Sequence, residues 1–135
     1  SGDTAVLDES VEYLDGLALR PGEESYYDLP RASGVRATLY DHCVKAIEHA
    51  MPRGHHCLPL MGTGDWNDGM NLVGEGGKGE SVWLGFFLTY VLREFATVAR
   101  GRGDTSFADR CMDEVGRLAK ALEAEAWDGK WHRRA

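Results

Sequence analysis

The sequence is poor in cysteine, and the three that it contains are an odd number at wide spacing: Cys43, Cys57 and Cys111. Small secreted domains that depend on disulfides usually contain an even number of closely spaced cysteines. The first residues also lack the basic and apolar regions that define a signal peptide. We therefore expect reduced thiols and a cytoplasmic setting, with Cys43 and Cys111 on apolar helix faces.

Positive charge is also scarce, because 15 lysines and arginines are outnumbered by 22 aspartates and glutamates, which gives a formal net charge of −7. Such a balance argues against a nucleic acid or an anionic membrane surface as the partner. No uninterrupted apolar run approaches the ~20 residues that span a bilayer. The hydrophobic fraction of 43% is ordinary for a globular chain.

Recognisable metal motifs are missing as well, since the sequence contains neither C-x-x-C nor H-E-x-x-H spacing. The side chains that could be imagined around a zinc ion are His42, His55, His56 and Cys57. Because their spacing matches no zinc motif, we predict no metal ligands and expect histidines that are hydrogen-bonded within the fold. The glycines at 74, 76 and 79 have the spacing of a dinucleotide fingerprint, but no strand is predicted before them, so we discard that interpretation.

Three helices are predicted from apolar residues at helical spacing. The first spans 35–50 with Ser33 as its N-cap, the second spans 81–100, and the third follows Asp104 and ends near 127. Residues 1–33 show little periodicity, and we expect an irregular segment there. The second helix is apolar on nearly all sides, which predicts neighbours on several of its faces. We therefore predict an all-α fold that forms part of a larger helical enzyme.

Between the first two helices lies a long glycine-rich connection, residues 54–80. Glycine, Asp and Asn are unfavourable inside helices, so we expect a packed irregular loop. Loops of this length inside a compact domain are usually functional. At its centre is the polar motif Gly62-Thr63-Gly64-Asp65-Trp66-Asn67-Asp68-Gly69-Met70-Asn71.

The two carboxylates of this motif, Asp65 and Asp68, are open to two interpretations. Asp is favoured in turns, so both residues could be turn formers only. The neighbouring Trp66, however, offers an aromatic face for a sugar ring, and an acid packed beside an indole is expected to have its pKa raised by desolvation. Two titrating groups whose pKa values are driven apart are typical of acid catalysis. This combination favours chemistry on a glycosidic bond, which needs an acid to protonate the leaving oxygen.

At these residues the chain resembles glycoside hydrolase family 94. The resemblance extends over nearly the whole chain and is most specific at Asp65-Trp66-Asn67-Asp68-Gly69 and at Gly79-Glu80-Ser81-Val82-Trp83. Shorter likenesses lie at 37–43, 58–64 and 126–131. Within the family, the chain is most similar to the C-terminal phosphorylase-like region of cyclic β-1,2-glucan synthases, and it also resembles cellobiose and chitobiose phosphorylases.

The resemblance implies a fold and a set of site residues. The implied fold is an (α/α)6 barrel with long functional loops, of which residues 1–135 are expected to be a partial catalytic domain, truncated at both ends. Asp68 corresponds to the general acid, and Trp66 corresponds to a residue that lines the sugar subsite beside the scissile bond. The expected orienting residues are Asp65, Asn67 and Asn71.

The implied reaction is inverting phosphorolysis of a β-glucan, with inorganic phosphate as co-substrate and no cofactor. An inverting hydrolase needs a second carboxylate to activate water, whereas phosphate is already an anionic nucleophile. Hydrolysis remains a variant of this hypothesis. The alternative from a different class is a non-catalytic glycan-binding helical module.

The resemblance also implies partners and a location. The partners are a β-glucan oligosaccharide, phosphate and the remaining part of the parent barrel. The location is cytoplasmic, and a parent protein anchored in the inner membrane would place this region on the cytoplasmic side. Since the family's phosphate-binding positions lie outside these 135 residues, the isolated chain is expected to be weakly active or inactive. It is also expected to self-associate through exposed helix faces.

Overall fold

The computed structural model of the protein describes residues 2–18, 20, 23, 26–63 and 68–135. The chain divides into two compact units, Ser1–Met51 and Pro52–Ala135. Over the described residues, the regular elements are three α-helices, one two-stranded sheet and short 3₁₀ and π segments. The all-α prediction is therefore correct for the helices and wrong in leaving out the sheet.

The N-terminal unit contains an antiparallel hairpin that the sequence analysis missed. Strand β1, Ser10–Asp15, pairs with β2, Arg31–Thr38, in a register that places Val11 opposite Ala37 and is interrupted by an irregularity between Glu12 and Leu14. A short 3₁₀ helix, Ala5–Asp8, precedes β1. A hairpin is found where an irregular segment was predicted, because pairing with β1 fixes residues 31–38 as a strand. The spacing of apolar residues along a single strand does not reveal such pairing.

Helix α1 spans Leu39–Ala50 and begins later than predicted. Its N-cap is Thr38, whose hydroxyl accepts a hydrogen bond from the backbone N–H of Asp41, while the Asp41 carboxylate accepts from the N–H of Thr38, both at 3.1 Å. This reciprocal capping box satisfies two donors that a helix start leaves unpaired. The predicted N-cap, Ser33, lies inside β2, where its hydroxyl accepts from the N–H of Val35. The prediction of Ser33 as N-cap is therefore wrong.

The C-terminal unit is built on a pair of packed helices, α2 (Val82–Gly101) and α3 (Thr105–Ala121). Their predicted starts are confirmed, because the side chain of Ser81 accepts from the N–H of Leu84 and that of Asp104 accepts from the N–H of Phe107, each at 3.0 Å. A π segment, Leu122–Ala126, continues α3. The helices bury a shared apolar surface formed by Leu88, Leu92, Ala96, Ala99, Phe107, Ala108, Cys111, Val115 and Leu118.

One side of α2 remains exposed although it is strongly aromatic. Trp83, Phe86, Phe87 and Tyr90 keep 40–63% of their surface accessible, and the rings of Trp83 and Phe87 stack at 5.4 Å. By length and composition alone, α2 is the one helix among the described residues that could cross a membrane. The sequence predicts no such segment, because its apolar runs are interrupted by polar residues. Since the interior helix of a domain passes the same test, α2 remains weak evidence for a membrane.

The buried contact between α2 and α3 predicts a large effect of truncating Leu118, which has no exposed surface. Leu118→Ala should lower the free energy of unfolding of the chain by ~2–5 kcal/mol, because the lost methyl groups leave a cavity. Urea unfolding followed by circular dichroism measures this change. Lys120→Ala, two residues later on the exposed side of α3, serves as the control and should stay within ~0.5 kcal/mol of the unchanged protein. Equal effects of the two substitutions would contradict the assignment of Leu118 to the core.

Candidate functional site

The polar motif is described at its two flanks. Asp65, Trp66 and Asn67 lie outside the described residues. The backbone of Asp68 begins a 3₁₀ helix, Asp68–Met70, and Asn71 follows it with a half-buried side chain. The described chain segments on either side of the motif are residues 53–63 and 68–82.

The two flanks of the motif are joined to each other at their base. The backbone N–H of Met61 donates to the carbonyl of Gly79 at 2.8 Å, and the N–H of Ser81 donates to the carbonyl of Pro59 at 2.9 Å. Between these bonds, Leu60 and Glu80 form an antiparallel bridge. Residues 61–79 consequently form a loop whose ends are fixed side by side, which we call the acidic loop because it contains Asp65 and Asp68.

The second half of the acidic loop is folded into consecutive turns. The N–H of Val73 donates to the carbonyl of Met70 at 3.0 Å, and the N–H of Gly77 donates to the carbonyl of Gly74 at 2.8 Å. Backbone groups that leave a helix or strand need such partners when water is excluded. This part of the loop is therefore ordered by its own backbone, directly after the position of Asp68.

Two glycines allow backbone segments of the acidic loop to approach each other more closely than any side chain would permit. A Cβ atom at Gly74, which is buried, would overlap the backbone carbonyl of Gly62, and one at Gly79 would overlap the carbonyl of Val73. Gly62 itself has a φ of 71°, in the region that glycine adopts without strain. Gly62, which precedes Asp65, and Gly74, which follows Asp68, thus contact each other through backbone atoms.

Glu80 is the charged residue at the base of the loop, and the sequence analysis gave it no role. Its side chain is only 9% exposed. One carboxylate oxygen accepts from the backbone N–H of Leu58 at 3.0 Å and from that of His56 at 3.1 Å, and the other lies 2.6 Å from Nδ1 of His56. His56 and Leu58 belong to a turn that is closed by the N–H of Gly54, which donates to the carbonyl of Leu58 at 3.0 Å. Glu80 therefore connects this turn to the base of the acidic loop.

The start of α2 is tied to the same base. The buried hydroxyl of Ser81 accepts from the N–H of Leu84 and also from the guanidinium of Arg134 at 3.1 Å. The N–H of Val82 donates to the carbonyl of Arg134 at 3.2 Å, and the guanidinium lies 5.6 Å from the ring centroid of Trp83. The acidic loop consequently ends on the N-terminus of a long, packed helix, which is a rigid support.

A cavity of about 240 Å³ opens beside the base of the loop. Its charged and polar lining comes from His56, Lys78, Glu80, Glu125 and Arg133, and its apolar wall includes Leu58 and Val82. A small polar ligand would meet both signs of charge here. The cavity therefore has no single electrostatic preference.

A second depression, about 370 Å³, has a mostly apolar lining that includes the side chains of Arg53, Arg117 and Lys120. The buried carboxylate of Glu114 contacts the guanidinium of Arg53 and lies 3.6 Å from that of Arg117. Burial lowers the pKa of Arg53, and the charge of Arg117 lowers it further. Because both guanidinium groups already neighbour a buried carboxylate, the depression is a poor receptor for a free anion.

The histidines that could be imagined around zinc have different surroundings. His42 lies in the N-terminal unit, where its Nε2 is 3.1 Å from the carbonyl of Val11 and its ring stacks on Tyr13 at 3.8 Å. His56 is bound to Glu80, and His55 meets its ring edge-on at 5.3 Å. Over the part of the chain that the structure describes, no three His, Cys, Asp or Glu side chains gather as a metal site would require. The absence of a metal stays a prediction.

The three cysteines differ in exposure. Cys111 is buried between the helices, and burial raises the pKa of its thiol. Cys43 is half-buried on α1, whereas Cys57 is exposed and has a φ of 62°. Cys43 and Cys111, which were expected on apolar helix faces, lie on α1 and α3, and of the two only Cys111 is buried.

Thiol labelling at neutral pH should follow this order. Cys57 should react rapidly with N-ethylmaleimide, and Cys111 should react only after unfolding, because the reactive species is an accessible thiolate. Mass spectrometry of peptides after short labelling pulses, with and without urea, measures the rates. Cys57→Ser should remove the fast phase and leave the slow one. Labelling of Cys111 at the rate of Cys57 in the folded chain would contradict its buried position.

The contact between Gly74 and Gly62 predicts that a single methyl group disturbs the loop. Gly74→Ala should lower the free energy of unfolding by ~1–3 kcal/mol, because the new Cβ forces the backbones apart. Gly76→Ala is the matched control, since a Cβ there would meet no atom within 4 Å. Urea unfolding gives the energies, and limited proteolysis shows whether cleavage near 62–74 becomes faster. Identical behaviour of the two variants would show that the flanks do not touch.

Comparison with known proteins gives one matching family across residues 1–135, described as the glycosyl hydrolase 94 superfamily, catalytic domain. The chain is 41% identical over 135 residues to the cyclic beta-(1,2)-glucan synthase NdvB of Rhizobium meliloti (strain 1021), matching 99% of the chain and 5% of that protein. It is 35% identical over 134 residues to the solabiose phosphorylase of Paenibacillus borealis, matching 98% of the chain and 15% of that protein.

A third relative is the N,N'-diacetylchitobiose phosphorylase of Vibrio furnissii, which is 32% identical over 118 residues, 82% of the chain and 14% of that protein. The chain therefore spans a small fraction of the length of each of these relatives.

Proposed function

This chain belongs to the catalytic domain of the glycosyl hydrolase 94 superfamily, and from that premise we propose that it supplies the general acid of an inverting glycoside phosphorylase. The resemblance predicted from its motifs is confirmed. The family is carbohydrate-active and includes glycoside phosphorylases. The substrate class, the role of each residue and the (α/α)6 barrel are parts of the proposal.

The observation that supports the proposal most directly is the closed base of the acidic loop. Asp68 begins a 3₁₀ helix within residues 61–79, and the two ends of this segment are hydrogen-bonded to each other through Met61 and Gly79. A catalytic group must be held within about 0.5 Å of its productive position, which a loop achieves only if its supports are rigid. Fixed ends that rest on the N-terminus of α2 provide such a support.

In the proposed mechanism, the carboxylic acid of Asp68 donates its proton to the glycosidic oxygen as the bond to the anomeric carbon breaks. Inorganic phosphate attacks that carbon from the opposite face, which inverts its configuration and gives α-glucose 1-phosphate. The released sugar keeps the proton, and Asp68 is left as a carboxylate. Because phosphate is already an anion, no second carboxylate is needed to activate a nucleophile.

The neighbouring residues are assigned supporting roles. Trp66 packs its indole against the apolar face of the sugar beside the scissile bond. The sugar ring and the indole together exclude water from the carboxylic acid of Asp68. Asp65, Asn67 and Asn71 orient sugar hydroxyls through hydrogen bonds. Asn71, the described member of this group, is half-buried directly after the 3₁₀ helix.

The substrate is proposed to be a β-glucan oligosaccharide, since the chain is 41% identical to a protein named as a cyclic beta-(1,2)-glucan synthase. Phosphate is the second substrate, and the cations that hold it are proposed to come from other parts of the catalytic domain. We further propose a cytoplasmic location, where phosphate and sugar phosphates are available.

Replacement of Asp68 tests the role of the acid. In the full-length protein, Asp68→Asn should slow phosphorolysis of a natural β-glucoside by ~10²–10⁴-fold, because the leaving oxygen is no longer protonated. The same variant should retain most activity on 2,4-dinitrophenyl β-glucoside, whose leaving group departs without a proton. Release of glucose 1-phosphate measures the first reaction, and absorbance of dinitrophenolate measures the second. Asp113→Asn, an exposed position on α3, is the control and should leave both rates unchanged.

Two outcomes would contradict the role of Asp68, and two further outcomes would contradict phosphorolysis. Equal losses on both substrates would assign Asp68 a role other than proton donation, and unchanged turnover would remove it from the reaction. Binding of β-glucan that is independent of phosphate, without any turnover of either substrate, would favour the glycan-binding module instead. Turnover without phosphate would assign hydrolysis.

A further inference from the structure

We infer that Glu80 is a positioning residue that holds the base of the acidic loop and thereby places Asp68 against the scissile bond. The inference rests on the proposed role of Asp68 as general acid. Glu80 does not act on the substrate itself in this inference. It acts through the backbone segments that its carboxylate and its main chain join.

The carboxylate of Glu80 is the shared acceptor for a turn that lies more than twenty residues earlier in the chain. It accepts from the backbone N–H groups of His56 and Leu58, and its second oxygen lies 2.6 Å from Nδ1 of His56. With a side-chain exposure of 9%, water competes little for these oxygens. Hydrogen bonds in which the acceptor is ionised are roughly twice as strong as neutral ones.

The main chain of Glu80 makes a second contact with the segment that precedes the acidic loop. It forms the antiparallel bridge with Leu60, between the bonds that join Met61 to Gly79 and Ser81 to Pro59. The turn at 54–57 therefore leads into one end of the acidic loop at Leu58 and Pro59, while Glu80 follows its other end. A single residue thus fixes two chain segments, 56–60 and 79–81, against each other.

Gly54 packs closely against the side chain of Glu80. A Cβ atom placed on Gly54 would lie 2.5 Å from Cγ, Cδ and Oε1 of Glu80, which is closer than real side-chain contacts allow. The glycine at 54 therefore lets the carboxylate lie flat against the turn that it holds. This close packing is a second contact, besides the hydrogen bonds, between Glu80 and the turn.

The test compares two substitutions of Glu80 in the full-length protein with Glu75→Gln, an exposed glutamate within the acidic loop. Glu80→Ala removes all acceptors, and Glu80→Gln keeps one acceptor oxygen. Since a misplacement of about 1 Å can reduce a rate by ~10²-fold, Glu80→Ala should lower kcat on the natural β-glucoside by ~10²-fold with a much smaller change in KM. Glu80→Gln should give an intermediate loss, and Glu75→Gln should give none.

The activated substrate distinguishes a role of Glu80 in placing the acid from a role in stability alone. If Glu80 places the acid, 2,4-dinitrophenyl β-glucoside, which needs no proton, should be affected at least ~10-fold less than the natural substrate, since general acid catalysis alone contributes ~10²–10⁴-fold. Equal losses on both substrates would overturn the inference. Unchanged kcat in Glu80→Ala would overturn it as well. Should Glu80→Ala fail to fold, the same comparison with Glu80→Gln decides.

Hydrogen exchange distinguishes a failure of this inference from a failure of the proposed function. The amides of Met61 and Ser81 should exchange faster in Glu80→Ala, because the base of the loop opens. Unchanged exchange would show that Glu80 does not hold the loop, whatever Asp68 does. Faster exchange, together with equal losses on both substrates in Asp68→Asn, would instead remove Asp68 as general acid.

Discussion

The antiparallel pairing of residues 59–61 with 79–81 is the contact on which the functional part of this chain depends. It consists of a few backbone hydrogen bonds, and it closes a glycine-rich loop in which the apolar side chains of Leu72 and Val73 are exposed. A loop of this composition has a large conformational entropy when free. The pairing offsets that entropy only because it is supported on both sides, by the carboxylate of Glu80 and by the start of α2.

The same arrangement explains why glycine is so frequent around the motif. A closed loop must bring its two flanks together, and the approach of Gly74 to the carbonyl of Gly62 leaves no volume for a Cβ atom. Each glycine costs stability through the freedom that it has in the unfolded chain. Glycine occurs here at positions where two backbone segments contact each other directly, without side chains between them. This close contact is the condition under which polar groups can be presented at close range.

The helix starts that depend on local capping residues could be predicted from the sequence. Ser81 and Asp104 are caps whose side chains act within three residues, so the starts of α2 and α3 could be predicted locally. The hairpin could not, because the pairing of Val11 with Ala37 joins residues far apart in sequence. Glu80 was missed for the same reason, since its partners at His56 and Leu58 lie across the loop. The motif around Asp68 was visible because its residues are adjacent, whereas the support beneath it is tertiary.

The left-handed backbone at Cys57 has a consequence for how variation in related sequences should be interpreted. With a φ of 62°, that position tolerates Gly, Asn and Asp far better than branched or bulky residues. Substitutions that persist there over evolutionary time are therefore filtered by main-chain geometry, independently of any sulfur chemistry. A thiol retained at this corner in one lineage and replaced by asparagine in another would represent two solutions to one conformational demand.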